Sequence, residues 1–471
     1  MKCVWRVRLG LAMMVFGCAA VQGAATISDV LVRQLWPWQR DVVVEFVAHD
    51  VPSGVYEQAE LNLFDGAADL GRVPGGAFTS DRVLCCDGKQ HITFDPAKVP
   101  ALAGRSKIAN LRVVVAAEPL ANQDDVLYQI FDLTKRAGEP GALTCVTAEA
   151  LTNGLWGAWT PHYWPNVAAV KTPVWLDVTN DVKWCTTHLV MRRIPAGTFQ
   201  MGRASTEDVT NYANEITPPV EVTISKSYYI GVFPMTTKQY RLIENLPWHG
   251  PEDVTPDEGT SCERMRGKWT AKNALYDWPN EKSVDPNSII GHLRTRTGRA
   301  FDLPTEAQWE KAARAGSNGV YYDGTLTTTA AARTELAWCG NNALVTESWY
   351  DPGVGLVKTN GITEAGVAIV YVRHRVGTRK PNNYGLYDTL GGVYEMVLDW
   401  QGGNISATMA RTDPEGATEA TDWNGSVPKR VCKGGNYIQD FYSIRLARRC
   451  QDPVNGNGSN AYGYRLCCPA E

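Results

Sequence analysis

Residues 383–400 read Asn-Tyr-Gly-Leu-Tyr-Asp-Thr-Leu-Gly-Gly-Val-Tyr-Glu-Met-Val-Leu-Asp-Trp, and this stretch decides the fold. Three acids, three glycines and an aromatic frame share one turn-rich segment. Asp388 and Glu395 stand on either side of the Leu390-Gly391-Gly392 bend, so two carboxylates and the carbonyls between them can converge on one point. Several oxygen donors on sharply bending backbone are what a hard cation takes. The plainer alternative is that both acids cap turns and accept amide hydrogen bonds.

Working outward, three more blocks carry the same kind of punctuation. Upstream lie Ile194-Pro-Ala-Gly-Thr-Phe-Gln-Met-Gly202 and Leu303-Pro-Thr-Glu-Ala-Gln-Trp-Glu-Lys-Ala-Ala-Arg-Ala-Gly316. Downstream, Arg430 to Leu466 holds Gly434-Gly435-Asn436-Tyr437 early and Gly463-Tyr464-Arg465 late. In this order the four blocks, spanning about 280 residues, resemble the formylglycine-generating enzyme, or sulfatase-modifying factor, family. The resemblance implies an α+β, C-type-lectin-like domain, rich in ordered loop. Where family members bind calcium at this signature, the ligands fall at the positions of Asp388, Gly391, Val393 and Glu395, two by side chain and two by carbonyl. A structural calcium is therefore expected. One departure stands just before the second block, where family members usually carry arginine and this chain has Asp302, a side chain that only accepts.

The last block bears on catalysis. Formylglycine-generating oxidases bind copper(I) through two cysteines shortly after the Gly-Gly motif, because soft thiolates select that ion. Here the corresponding residues, 434–445, contain no cysteine. Cys432 precedes them, Cys450 follows, and Cys467 and Cys468 end the chain, so copper is not expected. The seven histidines are scattered, with no pair at metal spacing. Nor is there a Gly-x-Ser-x-Gly elbow, a phosphate-binding glycine loop or a His-Glu-x-x-His motif. What remains in this block is a set of side chains suited to holding something: Tyr437, Gln439, Asp440 and Tyr442 are the candidate ligand contacts. Their alternative is ordinary loop residues. Arg445 or Arg449 matches the family's recurrent arginine and is expected to be structural.

The chain has 471 residues, more than one core holds, and divides as 1–24, 25–137, 138–186 and 187–471. Lys2, Arg6 and Arg8 before the apolar run Leu9–Ala20, then small residues, read as a secretory signal peptide too short for a membrane span. Secretion or a periplasmic location is expected, with a lipoprotein through Cys18 as the lesser reading. In such a compartment some of the ten remaining cysteines form disulfides, whose connectivity sequence cannot give. Residues 25–137 hold six short apolar or alternating runs, Ile27–Leu35, Val42–Val47, Ala59–Phe64, His91–Phe94, Ile108–Ala116 and Tyr128–Leu133, separated by turn clusters. They predict an antiparallel, immunoglobulin-like sandwich. Gly138, Pro140 and Gly141 mark a linker, and Trp156 to Trp184 a tryptophan-rich lead-in, read as an arm rather than a sugar platform.

Within 187–471, Thr236 with Gln239 and Thr305 with Gln308 are capping boxes that open two helices, the second stopping at Gly316. Residues 247–287, polar and broken by prolines, predict a long loop. A net charge of −4 gives no reason to expect nucleic acid or an acidic membrane surface. Two functional readings stay open. In one, this is a secreted, non-oxidising relative that binds a peptide, glycan or protein, secreted sulfatases included. In the other it is a formylglycine-generating oxidase that uses a different pair, Cys432 with Cys450 or Cys467.

Overall fold

The computed structural model describes residues 25–34, 40–52, 55–84, 87–105, 110–152, 159–164, 167–173, 176, 178, 181–203, 207, 215–247, 256, 284–326, 334–340, 342–346, 359–364, 367–371, 374–401, 411–415, 429–453 and 461–470. The signal segment, Cys85-Cys86, Trp156, Trp175 and most of the predicted 247–287 loop lie outside these residues. The chain divides into two units, 1–130 with 135–158, and 131–134 with 159–470. The predicted linker thus falls inside the first.

Each of the six predicted runs carries a strand over its described residues. The order is β1 (Thr26–Gln34), β2 (Val42–His49), β3 (Glu57–Asp65), β4 (Ala68–Arg72), β5 (Val83–Leu84), β6 (Gly88–Phe94), β7 (Leu111–Pro119), β8 (Val126–Asp132) and β9 (Leu143–Thr147), followed by the short helix α1 (Ala148–Thr152). Strands β1-β2-β6 form one antiparallel sheet; β3 centres a second, paired antiparallel with β4, β5 and β7. Alternation explains why the sheets share a core. Val42, Val44, Phe46 and Ala48 point one way from β2, and Ala59, Leu61 and Leu63 one way from β3. With Ile92, Phe94, Val113 and Val115 they form a single buried cluster. Each valine, leucine, isoleucine or phenylalanine among them contributes roughly 1.5–3 kcal/mol by leaving water.

The second unit begins with the hairpin β10 (Trp159–Trp164) and β11 (Val167–Pro173). Strands β12 (His188–Ile194), β13 (Gly197–Met201), β14 (Val220–Ile224) and β15 (Tyr228–Gly231) follow. Both predicted capping boxes are present. In α2 (Thr237–Ile243) the Thr236 hydroxyl takes the Gln239 amide at 3.3 Å and the Gln239 side chain takes the Thr236 amide at 3.0 Å. A helix absent from the sequence reading, α3 (Ile289–Thr297), is capped by Ser288 and ends on left-handed Gly298. The next, α4 (Glu306–Arg314), repeats the capping box through Thr305 and Gln308 at 3.2 and 2.9 Å. It stops one residue before the predicted glycine, because Ala315 itself turns left-handed at φ 47°.

Strands β16 (Leu344–Thr346), β17 (Thr359–Glu364) and β18 (Val367–Tyr371) form a small sheet, in the order β16-β18-β17. The signature strand β19 (Tyr394–Trp400) pairs antiparallel with β20 (Lys429–Lys433), which pairs with β21 (Cys450–Pro453); β22 (Tyr462–Tyr464) lies parallel to β19, and β23 (Cys467–Pro469) adds to β15. Helix α4 packs on β19 and β20. No helix among the described residues is long and apolar enough to cross a membrane.

Candidate functional site

The face between α4 and the β19–β20 ladder is charged as well as apolar. Capping places Glu306 in the first turn of α4 and Glu310 one turn later, both buried. Lys433, at the end of β20, reaches across with its Nζ 2.9 Å from Glu310 and 3.3 Å from Glu306. Arg449 donates to Glu306 at 2.9 and 3.1 Å, and Arg314 to Glu310 at 2.8 Å. Burial alone would keep Glu310 protonated, but Lys433 and Arg314 outweigh it and hold its carboxyl near 2. Asp399 has the opposite fate. It accepts the Glu306 amide at 2.6 Å, yet burial, and then the Glu306 charge, push it up to about 7.

Glu395 is taken up in the same manner. Arg465 grips it with Nε at 2.9 Å and a terminal nitrogen at 2.7 Å, and the Trp309 indole donates at 2.5 Å. The other Arg465 donors go to the carbonyls of Gly231, Val232 and Tyr387. Asp388, buried at φ 54°, accepts the Gly377 amide at 2.6 Å; burial raises its carboxyl to about 6. Gly391 must be glycine: at φ 71° a Cβ would lie 2.2 Å from the Trp338 carbonyl. Val393 is buried.

Of the expected calcium set, Glu395 is thus already bonded by a guanidinium and an indole, while Asp388 takes the Gly377 amide. Among the described residues no three acidic, histidine or cysteine side chains gather as a metal cluster.

The loop from Gly434 to Arg449 is clamped at both ends. Gly435, at φ 74°, lets the chain pass Ile444, whose Cγ2 would lie 2.6 Å from an added Cβ. Asn436 accepts the amides of Ile438 and Gln439 at 3.0 and 3.1 Å, and Gly340 donates to the Gln439 carbonyl at 2.7 Å. Asp440 caps the single turn Phe441–Ser443 through the Ser443 amide at 3.2 Å. Arg445, fully buried, holds the far end against Glu207 at 2.6 Å and Glu215 at 2.5 Å while donating to the Tyr442 carbonyl.

The four candidate contacts separate on this frame. Asp440 and Tyr442 face solvent, Tyr442 at 45% exposure beside Ile438 at 41%. Gln439 is half-buried, with its Oε1 sealed from water and without an acceptor's partner. Tyr437 is buried with Ala343 and Ala461, behind the loop rather than on its face. Beside the loop, His374 stacks on the Trp338 ring at 3.5 Å and Arg379 lies 3.4 Å over it. Sequence reasoning passed over Trp338 and the Glu306–Glu310–Lys433 network; the i, i+4 glutamates of α4 were the available signal.

No cysteine enters the 434–445 loop, and Ile444 sits in the cluster around Trp309, Leu390, Val431 and Leu446. Cys432 and Cys450 stand instead on neighbouring strands, and both are free thiols, as are Cys145, Cys185, Cys339, Cys467 and Cys468, so none of the expected disulfides is present among the described residues. Asp302, the departure noted in sequence, accepts from Arg294 at 3.4 Å and from the Leu303 amide at 2.8 Å, so an acceptor is what that position uses.

Residues 183–469 match the family described as the sulfatase-modifying factor enzyme 1-like domain. The chain belongs to this family. The formylglycine-generating enzyme of Thermomonospora curvata is 26% identical over 297 residues, covering 56% of this chain and 88% of that protein. That of Streptomyces coelicolor is 25% identical over 308 residues, covering 59% and 89%. A relative named chaperone protein LppX, from Paenibacillus barcinonensis, is 23% identical over 257 residues, covering 50% and 78%. The sulfatase-modifying-factor domain accordingly takes in the α4–β19 charge network and the whole 434–449 loop.

Proposed function

We propose that this chain is an exported, non-oxidising sulfatase-modifying-factor protein whose 434–449 loop binds a peptide, glycan or protein. The carrying observation is the loop itself: it has no cysteine, its inner side is filled by Ile444 and Tyr437, and its outer side offers Ile438, Asp440 and Tyr442. Rigid aromatic and polar groups on a pre-ordered backbone bind at low entropic cost. Secreted sulfatases are one class of protein ligand on this reading, and a chaperone-named relative is in keeping with binding without chemistry. The first unit is then an immunoglobulin-like spacer.

The oxidase reading has one observation in its favour: Cys432 and Cys450 are directly opposed in the β20–β21 ladder. In donor type they suit a soft monovalent ion. Both are buried, at 0% and 8% exposure, which counts against access by a substrate cysteine. Peptide and glycan arrays probed with the wild-type protein and with Tyr442→Ala test the binding reading. Selective capture lost in the variant supports it; equal signals from both proteins defeat it.

A further inference from the structure

We propose that Cys432 and Cys450 form a disulfide that closes the ligand loop at its base. Strands β20 and β21 run in unbroken antiparallel register from Lys429 opposite Pro453 to Cys432 opposite Cys450. Residues directly opposed in such a ladder project to the same face with Cα atoms about 4.5–5.5 Å apart, inside the roughly 4.4–6.8 Å that a disulfide spans. The neighbours agree on which face this is. Met396 is the β19 partner of Cys432, and Tyr394, two residues earlier on the same face, hydrogen-bonds the Cys450 sulfur.

The other cysteines show the contrast. Cys467 and Cys468 are successive residues of β23, opposite Ile230 and Tyr229, and so point to opposite faces. Cys432 is the last β20 residue but one and Cys450 the first of β21. The chain between them carries Gln439, Asp440 and Tyr442, so one bond there ties the two ends of that loop together.

Burial raises the Cys450 thiol above its ordinary value, which keeps it protonated and slow to exchange in the folded protein. A small-molecule or protein disulfide accepts the two electrons and two protons of the thiol pair and leaves as two thiols, while the Cys432–Cys450 sulfur–sulfur bond replaces the one broken.

Refolding the reduced full chain in glutathione buffer, blocking residual thiols with iodoacetamide and mapping the unreduced digest by mass spectrometry tests this. The expected result is a Cys432–Cys450 cross-linked peptide, with a higher melting temperature in the oxidised than in the reduced wild type. In a Cys432→Ser/Cys450→Ser double variant that redox difference disappears. Recovery of both cysteines as alkylated thiols from the oxidised, folded protein overturns the proposal, as does either one linked to a different cysteine. The peptide map of the wild type decides even where the double variant does not fold, and a redox difference that survives in a folded double variant counts against this pair.

Discussion

Replacing Asp399 by asparagine should stabilise the protein at high pH and do nothing at low pH. Asp399 accepts the Glu306 amide at 2.6 Å and is fully enclosed, with its carboxyl raised from the ordinary 3.8 to about 7 by burial and then by the Glu306 charge. Because the folded value lies above the unfolded one, the folded state holds the proton more tightly. The cost of ionisation is absent below pH 3.8, grows through the window up to about 7, and is complete above it. At about 1.4 kcal/mol per pH unit the cost across that window is on the order of a few kcal/mol. Asparagine keeps an oxygen for the Glu306 amide and carries no charge. Thermal melts of Asp399→Asn and wild type between pH 4 and 8 should show the variant melting roughly 10 °C higher at pH 8, at about 2–4 °C per kcal/mol for a domain of this size, with the gap closing toward pH 4. A variant that melts lower than wild type by the same margin at every pH would refute the reasoning. It would mean that the Arg430 and Arg449 charges, not burial, dominate this carboxylate.

Lys433→Met removes the cation shared by Glu306 and Glu310 and leaves buried acids behind, so it should cost about 3–5 kcal/mol in urea unfolding; a loss below about 1 kcal/mol would contradict the assigned network. Gly435→Ala adds a Cβ 2.6 Å from Ile444 at a positive φ and should cost about 1–3 kcal/mol, read as a lowered melting temperature. Tyr442→Ala acts on an exposed side chain and should leave stability within about 0.5 kcal/mol while weakening ligand capture. Calcium added to chelator-treated protein tests the Asp388, Gly391, Val393 and Glu395 set: a rise in melting temperature abolished by Glu395→Gln supports it, and an unchanged melting temperature counts against it.

Local chemistry made much of the fold readable. Thr236 with Gln239 and Thr305 with Gln308 declare helix starts because the reciprocal bonds involve only residues three apart. The strand runs of the first unit are legible because burial on one face enforces a period of two. Helix α3 was missed although Ser288 and Gly298 bracket it; its apolar side is confined to Ile289, Ile290 and Leu293, too few for a helical period to stand out.

The site was less legible, for a reason of distance along the chain. Nothing near Glu395 in the sequence announces that Arg465, 70 residues later, donates to it twice. Tyr437 looks like Tyr442 in sequence, but the turn at Gly434 and Gly435 directs the first inward, while the cap at Asp440 leaves the second exposed. The opposition of Cys432 and Cys450 depends on a strand register that spacing alone does not specify.

Binding without oxidation, as proposed for this sulfatase-modifying-factor protein, is tested by incubating the purified, metal-stripped full chain with copper(I), oxygen and a cysteine-containing sulfatase peptide and reading the peptide mass over time. The expected result is an unchanged peptide cysteine. Conversion to formylglycine that requires copper and is lost on Cys432→Ser or Cys450→Ser would contradict it.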